Sequence, residues 1–376
     1  MALELTEEQK ATGWQVKKLG DLCKSIDYGL TASATEKNTG TKFLRITDIK
    51  SGYCDDSSVP FVELSDDERR KYLLHAGDIV IARTGATTGI SAWLKNPKNT
   101  VFASYLVRFT VKDGEHNSRF IGYLLKTDIF QRYIYSVLAE KSAQPNASAT
   151  TIANAELPVP SRDEQDRIAE ILGSVDDKIE ANSRLLESLS ELGDALIKKL
   201  ISESSENIML SEIADIAMGQ SPSGDSLNEI GNGTVFYQGR RDFGFRYPAE
   251  RVYTTAPTRM AAAEDILLSV RAPVGDLNRV DKACCVGRGV AAIRAKDGNT
   301  SQLFYLLKNS PQLWEPFEGE GTIFSSINRK QVNELMVPLV KSDGEFTHIE
   351  ATIKGLTHEI RNLEKIREFL IHHLIG

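Results

Sequence analysis

A heptad stripe occurs twice in this chain, in register with itself. Ile168, Leu172, Val175, Ile179, Asn182, Leu186, Leu189, Gly193, Leu196 and Leu200 alternate by four and three residues. Phe346, Ile349, Ile353, Leu356, Ile360, Leu363, Arg367, Leu370 and Leu374 do the same. A narrow apolar stripe with a 3.5-residue period predicts a coiled-coil seam. Ile168/Ile349, Leu172/Ile353, Val175/Leu356, Ile179/Ile360 and Leu189/Leu370 coincide at an offset of 181 residues. Two such helices, each of about 36–40 residues and about 55–60 Å, most simply pack on each other. Antiparallel pairing would set a globular half at each end, about a pseudo-two-fold axis. The competing arrangement pairs each helix with another subunit.

The repeat extends into the segments before the helices. Ser161-Arg162-Asp163-Glu164 follows Leu157-Pro158-Val159-Pro160, and Ser342-Asp343-Gly344-Glu345 follows Val337-Pro338-Leu339-Val340. Each reads as a capping box, its Ser hydroxyl capping the third helical N–H while the Glu reaches back. Tyr123-Leu124-Leu125-Lys126 equals Tyr305-Leu306-Leu307-Lys308, and Gly77-Asp78-Ile79-Val80 resembles Glu264-Asp265-Ile266-Leu267. The offset drifts inside the globular halves, which predicts a shared scaffold with loops that differ. Short β-branched runs at 79–82, 100–110 and 286–295 suggest strands. Amphipathic helices are expected at 119–140 and near 302–307. The fold class expected is α+β: two similar mixed domains, 1–160 and 204–341, with long helices at 161–203 and 342–376.

Charge is unevenly placed. The chain carries a net −7, yet residues 1–162 hold 21 basic and 19 acidic side chains, and residues 163–203 hold 5 and 11. The first helix therefore holds nearly all the excess acid, which is ordinarily a solvated face. The globular halves are left free to meet a polyanion. No secretory segment and no long apolar run is visible, and Cys23, Cys54, Cys284 and Cys285 form no Cys-x-x-Cys. An intracellular, cytoplasmic, reduced protein is the expectation.

Catalytic chemistry is missing from the sequence. There is no P-loop, no Gly-x-Gly-x-x-Gly after a strand, no Asn-Pro-Pro or Asp-Pro-Pro tetrapeptide ending in an aromatic, and no His-Glu-x-x-His. His372-His373 reads as a surface pair, and no metal site is expected. What remains is binding chemistry. Arg83-Thr84-Gly85-Ala86-Thr87-Thr88-Gly89 follows an apolar strand, and Arg271-Ala272-Pro273-Val274-Gly275 takes the matching place. Glycines there allow a ligand to approach the backbone; a tight turn needing φ > 0 is the other reading. Arg240-Arg241-Asp242-Phe243-Gly244-Phe245-Arg246-Tyr247 interleaves arginine with aromatics. Arginine suits guanine edges and phosphates; structural arginine–carboxylate pairing is the alternative.

These residues resemble those of specificity subunits of type I restriction–modification systems. The segment 157–172, with Glu164-Gln165 before Ile168, looks like the one that follows a target recognition domain in that family. Segment 77–85 looks like the strand–turn inside such a domain. The second copy departs from the pattern, since Glu345-Phe346 lacks the Glu-Gln pair. The resemblance implies a non-catalytic subunit whose two target recognition domains each read half of a split, asymmetric DNA site. The helices, with Ile168, Leu172, Val175, Ile179, Leu186, Leu189, Ile349, Ile353, Leu356, Ile360, Leu363 and Leu370 along their stripes, would fix the gap and form the scaffold on which two modification subunits dock. S-adenosylmethionine, ATP and Mg are expected in modification and restriction partners, and no cofactor in this chain. Expected DNA contacts are Arg45, Arg83, Thr84, Gly85, Thr87, Thr88, Gln144 and Ser148 in the first domain. In the second they are Arg240, Arg241, Arg271, Ser325 and Ser326, the last two on the loop 319–326. A coiled-coil adaptor binding only proteins is the reading from another class; an enzyme is the third.

Overall fold

The chain forms two compact units. The computed structural model describes residues 3–50, 53–54, 59–139, 146–317 and 326–376. Unit 1 comprises Met1–Glu180 and Arg361–Gly376, and unit 2 comprises Ala181–Ile360. Each unit therefore contains part of both long helices.

In unit 1 a four-stranded antiparallel sheet runs in the order Cys23–Tyr28, Leu106–Val111, Ile79–Ala82, Ser91–Trp93. Its inner strand Ile79–Ala82 is buried at every position. The reason is that both faces are covered. Ile79 and Ile81 join a core with Phe120, Leu124, Ile168 and Leu172, while Val80 and Ala82 join a second cluster with Leu44, Leu74 and Phe102. A strand covered on both faces reads as continuously apolar rather than alternating. In unit 2 the order is Ala214–Met218, Val290–Ala295, Ile266–Ser269, Leu277–Arg279, again antiparallel. Ile266 and Leu268 face the helices, and Leu267 faces a separate cluster with Val235 and Cys284. The same strand order arises from each half of the sequence repeat.

A second ladder closes each unit beside its long helix. Gln15–Lys18 pairs antiparallel with Glu156–Val159, and Asn207–Met209 pairs with Met336–Pro338. The proline-containing segments seen in the sequence are thus strands that deliver the chain to the helices.

The long helices span Arg162–Glu203 and Glu345–Leu374. The first, at 42 residues, is about 63 Å long. Within unit 1, Ile168 and Leu172 share a core with Leu370, Ile371 and Leu374, and Arg367 donates to Asp176 at 3.0 Å. Within unit 2, Leu186, Leu189 and Ile197 share a core with Ile349, Ile353, Leu356 and Ile360. The end of one helix therefore meets the start of the other, inside this chain. Val175, Ile179 and Leu363 are half-buried on the same stripe. Among the described residues, no helix is long and apolar enough to cross a membrane and no group of three His, Cys, Asp or Glu could hold a metal. Cys23 and Cys284 are buried free thiols, pushed up to about 12 by that burial.

Three local expectations fail. The helix foreseen at 119–140 is two helices, Ser118–Leu124 and Asp128–Ala139, because the Thr127 hydroxyl donates to the Leu124 carbonyl at 2.7 Å where the chain turns. The run 100–110 is two strands, Thr100–Phe102 and Leu106–Val111, and the run 286–295 falls across Cys284–Val286 and Val290–Ala295. The capping boxes are the third. Ser161 Oγ does accept the Glu164 N–H at 3.4 Å, but the Glu164 carboxylate is taken by Arg167 at 2.6 and 2.8 Å. Ser342 caps nothing. Its hydroxyl donates to Gln302 Oε1, and the helix starts later, after Gly344 at φ 98. A reciprocal box does form at Ser65/Glu68, before Asp66–Tyr72.

Gln165 explains why the first helix starts where it does. Its Oε1 accepts the Asn117 N–H at 3.0 Å and its Nε2 donates to the Pro160 carbonyl at 3.0 Å, with the buried His116 ring 3.3 Å away. Arg162 donates to the Asp113 carbonyl and, at 2.8 Å, to Asp166, which also receives Asn117 Nδ2. Those bonds, Asn117 first and Arg162 second, hold the Asp166 carboxyl below its usual range. The domain and the helix start are one hydrogen-bonded joint.

The acidic helix is not merely a solvated face. Asp177 receives Lys95 at 2.9 Å and Arg119 at 3.0 Å, Glu180 also receives Lys95, and Asp176 accepts the Tyr123 hydroxyl at 2.6 Å. In unit 2, Asp194 receives Lys308 at 2.7 Å and Asn309 at 2.8 Å. The helix's carboxylates take up cations of the domain docked on it. Two glycines make room for that docking. A Cβ at Gly173 would lie 2.6 Å from the Arg119 guanidinium, and one at Gly193 would lie 2.3 Å from the Tyr305 ring.

Candidate nucleic-acid interface

In unit 1 the strand Ile79–Ala82 runs straight into the turn singled out from the sequence. Arg83 N–H donates to the Tyr105 carbonyl at 3.0 Å, and the Arg83 carbonyl accepts Ala147 N–H at 2.9 Å. The backbone of Arg83 is thereby tied on both sides. Thr84 bridges antiparallel to Asn146. A short 3-10 turn, Gly85–Thr87, comes next, and the Thr88 hydroxyl donates to the Gly85 carbonyl at 2.7 Å. Gly85 adopts φ 77 with open space where a Cβ would stand. Both readings of this glycine therefore hold: the turn needs positive φ, and the backbone is open to close approach. Thr88 is buried, and Thr87 Oγ1 is buried without a hydrogen-bond partner among the described residues.

The Arg83 side chain lies over the Tyr28 ring, its Cζ 5.0 Å from the centroid. It donates to Asn146 Oδ1 at 3.2 Å and to the Ser104 carbonyl at 3.5 Å. Ser148 lies beside this group as the N-cap of Ala149–Ala153, accepting Thr151 N–H at 3.0 Å. The fold thus gathers Arg83, Thr84, Gly85, Thr87, Thr88 and Ser148 at one end of the sheet. Gln144 lies outside the described residues. Arg45 is differently employed: its Nε and Nη2 donate to Asp48 at 3.1 and 2.9 Å, a closed fork that raises the guanidinium pKa further. Tyr28 was missed in the sequence, whereas Asn146 lies between Gln144 and Ser148, both expected at the interface. The available signal was Tyr28 before Gly29 at a strand end, and an aromatic in that place reads as ordinary strand composition.

In unit 2 the buried Val270 occupies the place of Arg83, and Arg271 that of Thr84. Arg271 follows the strand Ile266–Ser269 after one extra residue and bridges antiparallel to Ser326, as Thr84 does to Asn146. Its side chain is exposed and pairs with none of the described residues. Gly275 at φ 99 lies so close to Trp314 that a Cβ would come 2.4 Å from the ring, so its role is packing. Ser325 lies outside the described residues. Arg240 and Arg241 are exposed on a 3-10 turn, with Arg240 paired to Asp276.

Further along the arginine–aromatic run, Phe245 stays exposed while Arg246 and Tyr247 turn inward. Arg246 is only 2% exposed, with Nη2 3.0 Å from Ser190 Oγ, Nε 3.5 Å from Glu350, and Cζ 4.5 Å from the Phe304 ring centroid. Arg279, also buried, donates to Glu350 at 3.3 Å and to Glu264 at 3.1 Å. Two buried guanidiniums therefore share the single buried carboxylate of Glu350, on the second long helix. Burial and that same charge raise the Tyr305 hydroxyl pKa. For Arg246 the structural pairing, not the ligand-reading role, is what the fold uses.

Known proteins place this arrangement. Residues 11–191 match the type I restriction modification DNA specificity domain. The chain is 29% identical over 354 residues to a Methanocaldococcus jannaschii protein assigned as the specificity subunit of the type I restriction enzyme MjaX, covering 87% of this chain and 83% of that one. The MjaVIII specificity subunit of the same organism is 26% identical over 196 residues, 50% of this chain and 45% of that one. In fold, the crystal structure of the type I restriction–modification S subunit from M. genitalium is similar at a TM-score of 0.64, 18% identity, covering 100% of this chain and 98% of that one.

Proposed function

Because this chain belongs to the family of type I restriction–modification specificity subunits, we propose that it is the non-catalytic DNA-reading subunit of a methyltransferase and endonuclease complex. Each unit reads one half of a bipartite, asymmetric DNA site. The long helices, related by a pseudo-two-fold axis, set the unread gap and dock two modification subunits, which restriction subunits then join. S-adenosylmethionine, ATP and Mg belong to those partners.

One observation carries this reading: a single scaffold is used twice with different mouths. The strand order is the same in both units, and each inner strand runs out into an arginine, Arg83 directly after Ile79–Ala82 and Arg271 one residue further on after Ile266–Ser269. The turns after these arginines differ, Thr-Gly-Ala-Thr-Thr-Gly in one and Ala-Pro-Val-Gly in the other. A constant frame with variable residues at the sheet end is what two base readers of different sequence require, since base edges specify while phosphates only position.

The test is to sequence methylated adenines in cells carrying the assembled complex. Arg83→Ala is expected to relax one base position in one half-site and Arg271→Ala one position in the other, each at a cost of about 1–3 kcal/mol. An unchanged methylated sequence in both variants would refute the assignment. Affinity of the complex for DNA should fall steeply with salt; a protein-only adaptor would show no such dependence.

A further inference from the structure

We propose that Tyr28 is the positioning residue that sets how sharply Arg83 discriminates, an inference that rests on the DNA-reading assignment of unit 1. Tyr28 closes the strand Cys23–Tyr28 and is paired with Val107 of the neighbouring strand. The next residue, Gly29, runs so close to the Ala103 carbonyl that a Cβ would stand 2.2 Å from its oxygen. The backbone under Tyr28 therefore has little room to shift. Its ring is 46% exposed, yet it is held at both ends. The face carries the Arg83 guanidinium at 5.0 Å, and the hydroxyl accepts Ala149 N–H at 3.0 Å. That amide belongs to the first turn of Ala149–Ala153, where backbone donors lack helical partners. One side chain thus links both of the segments gathered at this end of the sheet.

Arg83 needs such a support. Its contacts to Ser104 and Asn146 are long, and its Nε is buried with no hydrogen-bond partner among the described residues. Each terminal nitrogen spends one N–H on those contacts and keeps another, so two donors remain for a ligand with paired acceptors. A guanidinium stacked on a ring presents that fork in a fixed plane, whereas an unsupported one must be ordered at the moment of binding. Unit 2 lacks both partners of this stack at the corresponding places, where buried Val270 stands for Arg83 and Met218 for Tyr28. Met218 precedes Gly219 at the corresponding strand end, and a Cβ at Gly219 would lie 2.2 Å from the Gly287 carbonyl oxygen.

The experiment compares Tyr28→Met, Tyr28→Phe and Arg83→Ala in the complex with its modification subunits. It reads methylated adenines in cells and binding to duplexes carrying single mismatches. Tyr28→Met places at this strand end the residue unit 2 already has there; should it fail to assemble, Tyr28→Leu takes its place. The expected result is a loss of discrimination of about two- to five-fold at the one base position that Arg83→Ala relaxes, with the other half-site untouched. Tyr28→Phe keeps the ring under Arg83 and loses only the tie to Ala149 N–H, so it should lose less discrimination than Tyr28→Met. Unaltered discrimination in Tyr28→Met, or an equal loss on every DNA sequence, overturns the inference. If Arg83→Ala itself relaxes no position, the DNA-reading assignment of unit 1 falls, and this inference with it. If Arg83→Ala relaxes a position and Tyr28→Met does not, only the positioning role of Tyr28 is lost.

Discussion

Where a domain helix meets the start of a long helix, unit 1 has Phe120 on the domain and Gln165 on the long helix. Unit 2 has Gln302 on the domain and Phe346 on the long helix, at positions that correspond in the repeat. Both phenylalanines are fully buried. Gln165 donates to the Pro160 carbonyl, and Gln302 donates to the Val340 carbonyl at 2.9 Å. Each joint therefore needs one ring and one amide that ties down the segment leading into the helix, and it does not matter which partner brings which. The apparent erosion of the second copy, Phe346 where the first has Gln165, is a transfer of the amide to the other side. The units differ in charge as well. Unit 1 holds its domain to the helix with half-exposed pairs such as Arg119–Asp177, whereas unit 2 buries Arg246 and Arg279 around Glu350.

That contrast can be broken in graded ways. The largest effect is expected at Glu350. Glu350→Gln leaves the buried Arg246 guanidinium without its carboxylate and Arg279 with Glu264 alone, and should cost about 3–5 kcal/mol in chemical denaturation. Asp177→Asn, at the exposed counterpart, should cost about 0–1 kcal/mol. Equal costs would show that the two joints are not electrostatically different.

The crossed pair comes next. Phe120→Gln and Gln165→Phe should each destabilise unit 1 by about 2–4 kcal/mol, through a lost ring in one case and an unmet carbonyl with overpacking in the other. The double variant should recover more than half of the summed loss, since residues sharing one joint are not additive. Simple additivity in a denaturation series would rule out the exchange.

The glycine seats separate by what they face. Gly193→Ala drives a methyl into the rigid Tyr305 ring and should cost about 1–3 kcal/mol. Gly173→Ala meets only the far end of the flexible Arg119 side chain, and the measured cost should be smaller.

The smallest effect is one of pH. Burial first, and nearby Lys17 second, depress the His116 pKa below its ordinary 6.5. The folded state therefore resists a proton that the unfolded chain accepts. Stability contributed by the neutral ring is complete above about pH 6.5 and is lost as pH falls toward the depressed value. Unit 2 has Gly298 at the corresponding place. Thermal unfolding of the chain should lose stability as pH falls below about 6.5, and His116→Gln should remove that part of the slope.

Much of this architecture was legible in the residues themselves. The heptads located both long helices, because a 3.5-residue stripe survives any choice of partner. Ile79–Ala82 was legible as a strand because both of its faces are covered. The second capping box was not, since Ser-x-x-Glu at 342–345 has the right spacing but Gln302 claims the Ser342 hydroxyl from far away in sequence. Arg246 was not legible either. An arginine beside aromatics looks the same whether the rings are a platform for a ligand or the wall of a core. Only the distant Glu350 decides between them. At the candidate site, the turn after Arg83 was visible as glycines after an apolar strand. Its support, Tyr28, comes from a strand 55 positions earlier, and nothing local advertises it.

The crossed phenylalanine and glutamine have a consequence for how such a chain reaches its native state at all. A protein made by duplication is synthesised with two domains and two seats that are nearly interchangeable. Were the first domain to settle on the second seat, Phe120 and Phe346 would compete for the space of one ring, and the carbonyl of Val340 would lose its amide donor. The reverse error would bring Gln165 and Gln302 together in a pocket sized for an aromatic. Each mispairing fails twice, in volume and in hydrogen bonding. Descendants of one ancestral half thus became strangers to each other's seats, and kinship ceased to be a route to misassembly.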